Sequence, residues 1–433
     1  MGNRNALLKA GAKYSISSTL CSVVSMIVGF LNMRWLGPDV LGIWQSLTVI
    51  NSYLPFLQLG VQSGLNLELP VLLGKGRKED AEHAVQTGLV FAVYLSFFLL
   101  FIGGIAVLIL WLTGCSKEIY HGIGAIALIA VIQCYRLHFI ATYRSAVAFG
   151  KLSNIYLISA FISVLLALLI YKYHYWGLLL YSIGTQFFTT LLMFLFAPYR
   201  YLKPIMFREW FKKILKRGVF VTFINQIQGV IDSIPRLILL RTGGTLQVGL
   251  FTPALSLGSL FNLIPNQLAQ FLQPQMGYKY GQTGKAEDMW GYLKRISYII
   301  PLCIIPISAI CWIVMPWVLE RLFPKYIDSL DPIRIMLFGF IFSSSYISRS
   351  FLLTIKAYFE VSILYVIDII CFVSFPLLFI NVLPYRLTVS LALGLSLAYF
   401  VTYISTVILT KYTIFKKRYN NNHIVEDKNN CKE

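Results

Sequence analysis

Two arginines, Arg136 and Arg349, each lie well inside an apolar stretch that is long enough to cross a membrane. A charged side chain there is costly in hydrocarbon, so it usually faces a ligand or an internal partner. The planar guanidinium group binds two oxygen atoms at once, which suits phosphate and diphosphate groups. The two arginines therefore predict an anion-binding site. The equally weighted alternative is an internal ion pair with Asp368 or Asp232.

Two carboxylates, Asp368 and Asp232, are candidate carriers of a coupling proton or other ion. Asp368 interrupts an apolar stretch, whereas Asp232 has Arg236 one helical turn later. A desolvated carboxyl group favours its neutral form, so a carboxyl that alternates between wet and dry surroundings can bind and release a proton. The alternative is a structural carboxylate, which for Asp368 means a permanent pair with Arg349 or Lys356.

Polar side chains recur at helical spacing along several of the predicted membrane helices. Because polar groups that face lipid are costly, such helix faces are expected to meet inside the protein and enclose a water-filled cavity. The alternative is helix–helix hydrogen bonding without a cavity. The predicted cavity residues are Arg136, Arg349, Arg236, Asn225, Gln58, Gln62, Asn262 and Asn266.

The sequence carries no recognisable enzyme or metal-site motif. Its five histidines are scattered, and no metal-ligand spacing, P-loop or nucleophile elbow is present. We therefore predict no catalytic residue, no metal and no cofactor. The seven cysteines are interpreted as small core residues and not as a disulfide framework.

The composition predicts an all-α polytopic membrane protein. Of 433 residues, 57% are hydrophobic and only 13% are charged, whereas soluble domains carry about a quarter charged residues. A membrane helix takes about 20 apolar residues, so the chain has room for about twelve spans and short loops. These spans are expected near 14–35, 40–63, 86–112, 120–148, 153–172, 176–197, 218–241, 247–273, 295–319, 329–355, 361–382 and 387–411.

The distribution of basic residues predicts the orientation of the spans. The net charge is +19, and Lys and Arg accumulate in cytoplasmic loops of membrane proteins. With the N-terminus inside, the basic segment 199–217 and the tail after Lys411 both lie in the cytoplasm. We therefore predict that both termini are cytoplasmic, and we attribute the positive charge to topology and not to nucleic-acid binding.

Segment 199–217 is predicted to be an amphipathic helix on the cytoplasmic leaflet. Its apolar residues recur at helical spacing around Trp210, and its basic residues take the other face. The alternative is an extension of the seventh span. The predicted domains are a six-helix bundle at 1–198, this linker, a second six-helix bundle at 218–411 and a basic tail at 412–433.

The two predicted bundles share a sequence pattern. Arg34-x-x-Gly37-x-x-x-x-Gly42-x-Trp44 recurs at one constant offset as Arg241-x-x-Gly244-x-x-x-x-Gly249-x-Phe251. Because each half contains an even number of spans, the repeats are expected to be parallel and not inverted.

The whole pattern resembles the polysaccharide (O-antigen) flippase branch of the multidrug/oligosaccharidyl-lipid/polysaccharide exporter superfamily. The resemblance is carried by the twelve spans, by Arg34-Trp-Leu-Gly-Pro-Asp-Val-Leu-Gly-Ile-Trp44 and by Leu-Asn-Leu-Glu-Leu-Pro-Val-Leu-Leu-Gly-Lys-Gly-Arg from Leu65 to Arg77. It implies a V-shaped, MATE-like transporter that moves undecaprenyl-pyrophosphate-linked sugar units outward across the bacterial inner membrane by alternating access. It also implies possible coupling to H⁺ or Na⁺, and association with other polysaccharide assembly proteins.

Two other functions are compatible with a chain of this kind. A cation or drug exporter of the same fold would favour acidic cavity residues, yet Arg136, Arg236 and Arg349 outnumber Asp232 and Asp368. A membrane polymerase or ligase would be expected to carry a long extracytoplasmic loop, which the predicted spans do not leave room for. The sequence therefore favours the flippase with a cationic cavity.

Overall fold

The structure is a computed structural model that describes residues 2–199, 202–283, 290–343, 346–355 and 357–430. Within these ranges the regular elements are helices and no strand occurs, so the all-α prediction is confirmed. Two short 3₁₀ helices cover Val49–Ser52 and Pro324–Ser329. The α helices are α1 (Gly2–Trp35), α2 (Pro38–Thr48), α3 (Leu54–Leu57), α4 (Val61–Gly74), α5 (Lys78–Leu112), α6 (Lys117–Ser145), α7 (Phe149–Leu195), α8 (Arg208–Thr283), α9 (Trp290–Leu322), α10 (Leu330–Ile341), α11 (Tyr346–Thr354), α12 (Tyr358–Val382) and α13 (Leu387–Asn430).

Two of these helices contain a break and correspond to two predicted spans each. α7 has 47 residues and is interrupted at His174, whose φ is 49° and ψ is −119°. α8 is interrupted at Gly244, with φ 74° and ψ −172°. A straight helix as long as α7 would measure about 70 Å, more than twice the hydrocarbon thickness. Nine helices among the described residues are long and apolar enough to cross a membrane, so the chain is a multi-pass membrane protein.

The break at Gly244 matches the sequence repeat. Gly37, its counterpart in the first half, stands between α1 and α2 in an extended conformation and precedes Pro38. Both glycines of the repeated pattern therefore interrupt a helix at the corresponding place in the chain.

Two predicted spans are discontinuous in the structure. The span expected at 329–355 forms two short helices, α10 with 12 residues and α11 with 9, on either side of residues 344–345, which lie outside the described ranges. The span expected at 40–63 is divided into α2, a 3₁₀ turn and α3, and α4 then begins after Gly60. Gly60 adopts a left-handed φ of 83°, a conformation that glycine tolerates best.

The described chain forms two compact units, Met1–Ser233 and Ile234–Glu433, and the boundary falls inside α8. In the first unit α1 packs against α7, α5 packs against α6, and α6 packs against α7. In the second unit α13 packs against both α10 and α12, and α9 packs against α10. The predicted domain limits at 198, 217 and 411 stay predictions.

Residues 208–217 of the basic segment 199–217 form the first part of α8. The helix begins at Arg208 and continues without a break at 217. This agrees with the alternative interpretation, in which the segment extends the seventh span. Its apolar side packs on protein: Ile214 is buried in a cluster with α4 and α5 residues such as Leu65 and Ala84. Residues 202–207 are not helical.

Three glycines allow the start of α8 to contact α4 closely. A Cβ atom on Gly218 would overlap the carbonyl oxygen of Gly60, and a Cβ atom on Gly64 would overlap the carbonyl oxygen of Ile214. Beside them, the buried carboxylate of Glu68, 2% exposed, lies 2.6 Å from Arg217 Nε and 3.7 Å from Lys213 Nζ. The first part of α8 is therefore held to the first unit by backbone contact and by an ion pair.

Candidate functional site

Arg349 and Asp368 form a buried ion pair in the second unit. Arg349 lies on α11 and is 5% exposed, and Asp368 lies on α12 and is 2% exposed. Nη2 donates to Oδ1 at 2.9 Å, and Nη1 donates to Oδ2. The guanidinium carbon also lies 5.6 Å from the centre of the Tyr365 ring. The structure thus brings together a predicted cavity arginine and a predicted ion carrier, in the internal pairing that the sequence left as an alternative.

Arg136 is in a different electrostatic situation in the first unit. It lies on α6, and its guanidinium interacts with the Tyr156 phenol of α7 and the Cys21 thiol of α1. Its Nε atom is buried and makes no hydrogen bond to the part of the chain that the structure describes. No carboxylate among these residues forms an ion pair with it. Within the described ranges, its positive charge is therefore not balanced by an ion pair.

Polar and aromatic contacts join α1, α6 and α7 on the C-terminal side of Arg136 in α6. Arg144 Nη2 donates a hydrogen bond of 2.9 Å to the Tyr14 hydroxyl group, and the Tyr14 and Tyr156 ring centres are 5.9 Å apart. Lys13 Nζ donates to Asn154 Oδ1 at 3.0 Å. We call Arg136, Arg144, Tyr14 and Tyr156 the arginine–tyrosine cluster.

The three helices of this cluster contain almost no acidic residues. Along α1, α6 and α7 the sequence has a single carboxylate, Glu118, in the first turn of α6. It precedes Arg136 by eighteen positions, which is about 27 Å along a helix. A carboxylate that far away cannot form an ion pair with Arg136, so the basic residues of these three helices outnumber the acidic ones around the cluster.

The two predicted glutamines of the first unit have internal contacts. Gln58 and Gln62 are both buried. Gln62 Nε2 donates to the carbonyl oxygen of Gly88 on α5 at 3.1 Å. For Gln62 this is the helix–helix hydrogen bonding that the sequence left open as an alternative to cavity lining.

The remaining predicted site residues all lie on α8. Asp232 is exposed and accepts a hydrogen bond of 3.0 Å from Gln228 Nε2. Arg236 follows one turn later and is half-buried, as are Asn262 and Asn266. The side chain of Asn225 lies outside the described residues. A shared cavity formed by these residues stays a prediction.

Sequence reasoning missed Tyr14, Tyr156 and Glu68. The two tyrosines are far apart in the chain and carry no charge, so spacing within one helix does not relate them to Arg136. The available signal was the near absence of Asp and Glu from α1, α6 and α7, which can be read from the sequence. Glu68 was not singled out because its cations come from α8, about 150 positions later.

The fold is similar to that of known transporters. An inward-facing multidrug resistance MATE family transporter of the MOP superfamily superimposes with a TM-score of 0.74 at 16% identity, covering 93% of this chain and 99% of that chain. An outward-facing structure of such a transporter gives 0.68 at 16% identity, with 95% and 96% covered. At these identities the likeness shows the fold alone.

A third structure comes from Pyrococcus furiosus and is described as a MOP superfamily transporter whose reversed binding-pocket polarity suggests a different function. It gives a TM-score of 0.67 at 16% identity, covering 94% of this chain and 95% of that chain. No curated protein sequence matches the chain significantly.

A family comparison extends these structural similarities. The family described as polysaccharide biosynthesis protein matches residues 33–331, which is more than half of the sequence. The matched range includes both repeated glycine patterns and most of the helices that build the two units. The chain therefore belongs to the polysaccharide biosynthesis protein family and has the MATE-like fold of MOP superfamily transporters.

Proposed function

We propose that this protein moves lipid-linked oligosaccharide units across the bacterial cytoplasmic membrane for the synthesis of a surface polysaccharide. The substrate class is a glycan joined through diphosphate to a polyprenyl carrier such as undecaprenyl. The observation that carries the proposal is the charge of Arg136, which forms no ion pair with any described carboxylate, in a membrane helix of a polysaccharide biosynthesis protein. The transporter fold supports translocation as the activity.

The charge of the substrate explains why such an arginine is useful. A diphosphate carries negative charge that cannot enter hydrocarbon without compensation. A guanidinium group can bind two of its oxygen atoms in a fixed geometry, while the lipid tail stays in the bilayer. Arg349 is less suited to this task in the described conformation, because Asp368 already occupies its bidentate edge.

Ion coupling is part of the proposal and involves Asp232 and Asp368. Asp232 is exposed, so a proton or Na⁺ can reach it from solvent, whereas Asp368 is buried and paired with Arg349. Both termini are proposed to be cytoplasmic, and polysaccharide assembly proteins are the proposed partners. A cation exporter is disfavoured, since an unbalanced arginine repels a cationic substrate.

The test is a deletion strain complemented with the wild-type gene. We expect deletion to abolish the surface glycan while lipid-linked repeat units accumulate on the cytoplasmic side, and complementation to reverse both effects. A polymerase or ligase defect would instead leave flipped units on the outer side of the membrane. Normal surface glycan in the deletion strain, together with altered sensitivity to cationic drugs, would favour the exporter.

A further inference from the structure

The first part of α8 carries a row of cations that the ion pair with Glu68 does not use. Arg208, Lys212 and Lys216 follow one another at four-residue spacing, so they lie on one side of the helix. All three are exposed, and none of them forms an ion pair within the described ranges. We call these three residues the basic stripe. It extends over about 12 Å along the helix axis.

The same side of α8 becomes apolar one turn after the basic stripe. Val219 is 47% exposed and Phe223 is 56% exposed. At 3.6 residues per turn, both lie within an arc of about 80° that also contains the stripe. Ile214, which is buried against α4 and α5, and the carboxylate Asp232 lie on the opposite side, about 160° away. Because α8 is apolar and long enough to cross the membrane, we expect the exposed arc to face lipid.

We infer that the basic stripe binds the headgroups of anionic phospholipids in the leaflet that surrounds the start of α8. Segment 199–217 is predicted to be cytoplasmic, so this is expected to be the cytoplasmic leaflet. The inference concerns a lipid that stays in the bilayer around the protein. It does not depend on which substrate is transported.

The basic stripe is unfavourable for an isolated helix. Cations four residues apart repel each other, and cations in the first turns oppose the helix dipole, whose positive end lies there. Glu209 is the only acidic residue between Arg208 and Arg217. The tendency of basic residues to be cytoplasmic does not require them to share one side of a helix. Anionic headgroups offset both unfavourable effects, because they place negative charge beside the whole row.

The order of charged and apolar residues favours a lipid over an acidic protein as the partner. Lys216 is followed one turn later by Val219, so the stripe ends where the exposed apolar surface begins. A phospholipid has the same order, with the charged headgroup beside the acyl chain. Each basic side chain close to an anionic membrane surface changes binding about fivefold.

The test uses a photocrosslinker in the apolar part of the arc. The full chain with p-benzoylphenylalanine in place of Val219 is reconstituted in vesicles of equal amounts of phosphatidylglycerol and phosphatidylcholine, irradiated, and analysed by mass spectrometry for covalently attached lipid. We expect phosphatidylglycerol to be enriched about fivefold over its share of the bilayer. The same crosslinker in place of Phe161, which is 66% exposed on α7, should report the bilayer composition.

Two triple variants remove the same amount of charge from different places. The first removes the basic stripe and is Arg208→Gln, Lys212→Gln, Lys216→Gln. The second changes exposed residues of other predicted cytoplasmic segments and is Lys75→Gln, Lys78→Gln, Lys151→Gln. We expect the enrichment at position 219 to fall to about one in the first variant and to stay unchanged in the second. Both are compared as monodisperse protein after size-exclusion chromatography.

Three results would contradict the inference. Equal crosslinking of the two phospholipids at position 219 without the charge changes would overturn it. Enrichment that persists in the first variant, or that is lost equally in the second, would exclude the basic stripe as its cause. Crosslinking of position 219 to another polypeptide in cell membranes, in place of lipid, would overturn the lipid and indicate an acidic protein partner.

Discussion

Arg349 on α11 and Asp368 on α12 are joined by two hydrogen bonds in a part of the second unit from which water is almost excluded. The pair combines full burial with bidentate geometry, the arrangement in which removal of one partner is most costly. Its two charges cancel locally. Arg136 in the first unit differs, because no described carboxylate forms an ion pair with it.

Neutralising one member of this pair should destabilise the protein. Asp368→Asn leaves the Arg349 charge buried, and we expect a loss of about 3–5 kcal/mol in unfolding free energy. Combining it with Arg349→Gln should restore much of that loss, which thermal unfolding in detergent followed by size-exclusion chromatography would measure. Asp328→Asn is the control, because its pair with Arg386 is exposed and is worth about 1 kcal/mol or less.

The same variant distinguishes a structural role from ion coupling. A stable, well-inserted Asp368→Asn protein whose export no longer responds to pH would contradict a purely structural pair and support alternation of this carboxyl. Wild-type stability and a wild-type pH response together would contradict both roles.

The two predicted cavity arginines should differ in their effect on glycan export. We expect Arg136→Ala to reduce export strongly at normal protein levels and Arg136→Lys to retain part of it, since charge remains but the bidentate group is lost. Arg349→Ala should act mainly by lowering the amount of folded protein. The difference is measured as the amount of surface glycan divided by the amount of this protein in the membrane. If normalised export in all three variants equalled that of the wild-type protein, neither arginine would bind an anion that export requires.

The glycine contact between α4 and α8 predicts a steric effect. Gly218→Ala would place a methyl group on the carbonyl oxygen of Gly60, so we expect destabilisation of about 1–3 kcal/mol or more from overpacking. Gly229→Ala is the matched control on the same helix, because a Cβ atom there meets nothing within 4 Å. Thermal unfolding of both variants tests the contact. A Gly218→Ala protein as stable as Gly229→Ala would mean that the two helices are further apart.

The predicted orientation can be tested by cysteine labelling in intact cells. In a background without native cysteines, Lys213→Cys and Asn421→Cys should resist a membrane-impermeant maleimide, because both positions are predicted to be cytoplasmic. Lys325→Cys lies on the opposite side in that prediction and should be labelled. Labelling of the first two from outside, with Lys325→Cys protected, would reverse the topology.

Helix content and most spans could be predicted because apolar length is a property of each segment alone. Breaks inside a long apolar stretch were harder to predict from the sequence. The glycine pattern located Gly37 and Gly244, but nothing local indicated that residues 329–355 would divide into α10 and α11. Such a division depends on packing against α9, α12 and α13, which the local sequence does not contain.

The candidate site was harder to predict mainly because the sequence does not show which charged residues pair with each other. Two partners were possible for Asp368, Arg349 and Lys356, and two were possible for Arg349, Asp368 and Asp232. Only the contact between α11 and α12 selects one pair. For Arg136 the sequence left a pair with Asp368 or Asp232 open, and no described carboxylate forms an ion pair with it.

The Arg349–Asp368 pair also has a consequence for how the second unit is made. Nine-residue α11 carries a cation and α12 carries an anion, and either charge alone at a helix centre costs about 2.5–3.5 kcal/mol during insertion by the translocon. Arg349 and Asp368 are 19 positions apart in the sequence, so we expect the two segments to leave the translocon together as a hairpin with the charges already matched. During biosynthesis, α11 is thus expected to wait at the translocon until α12 has been synthesised.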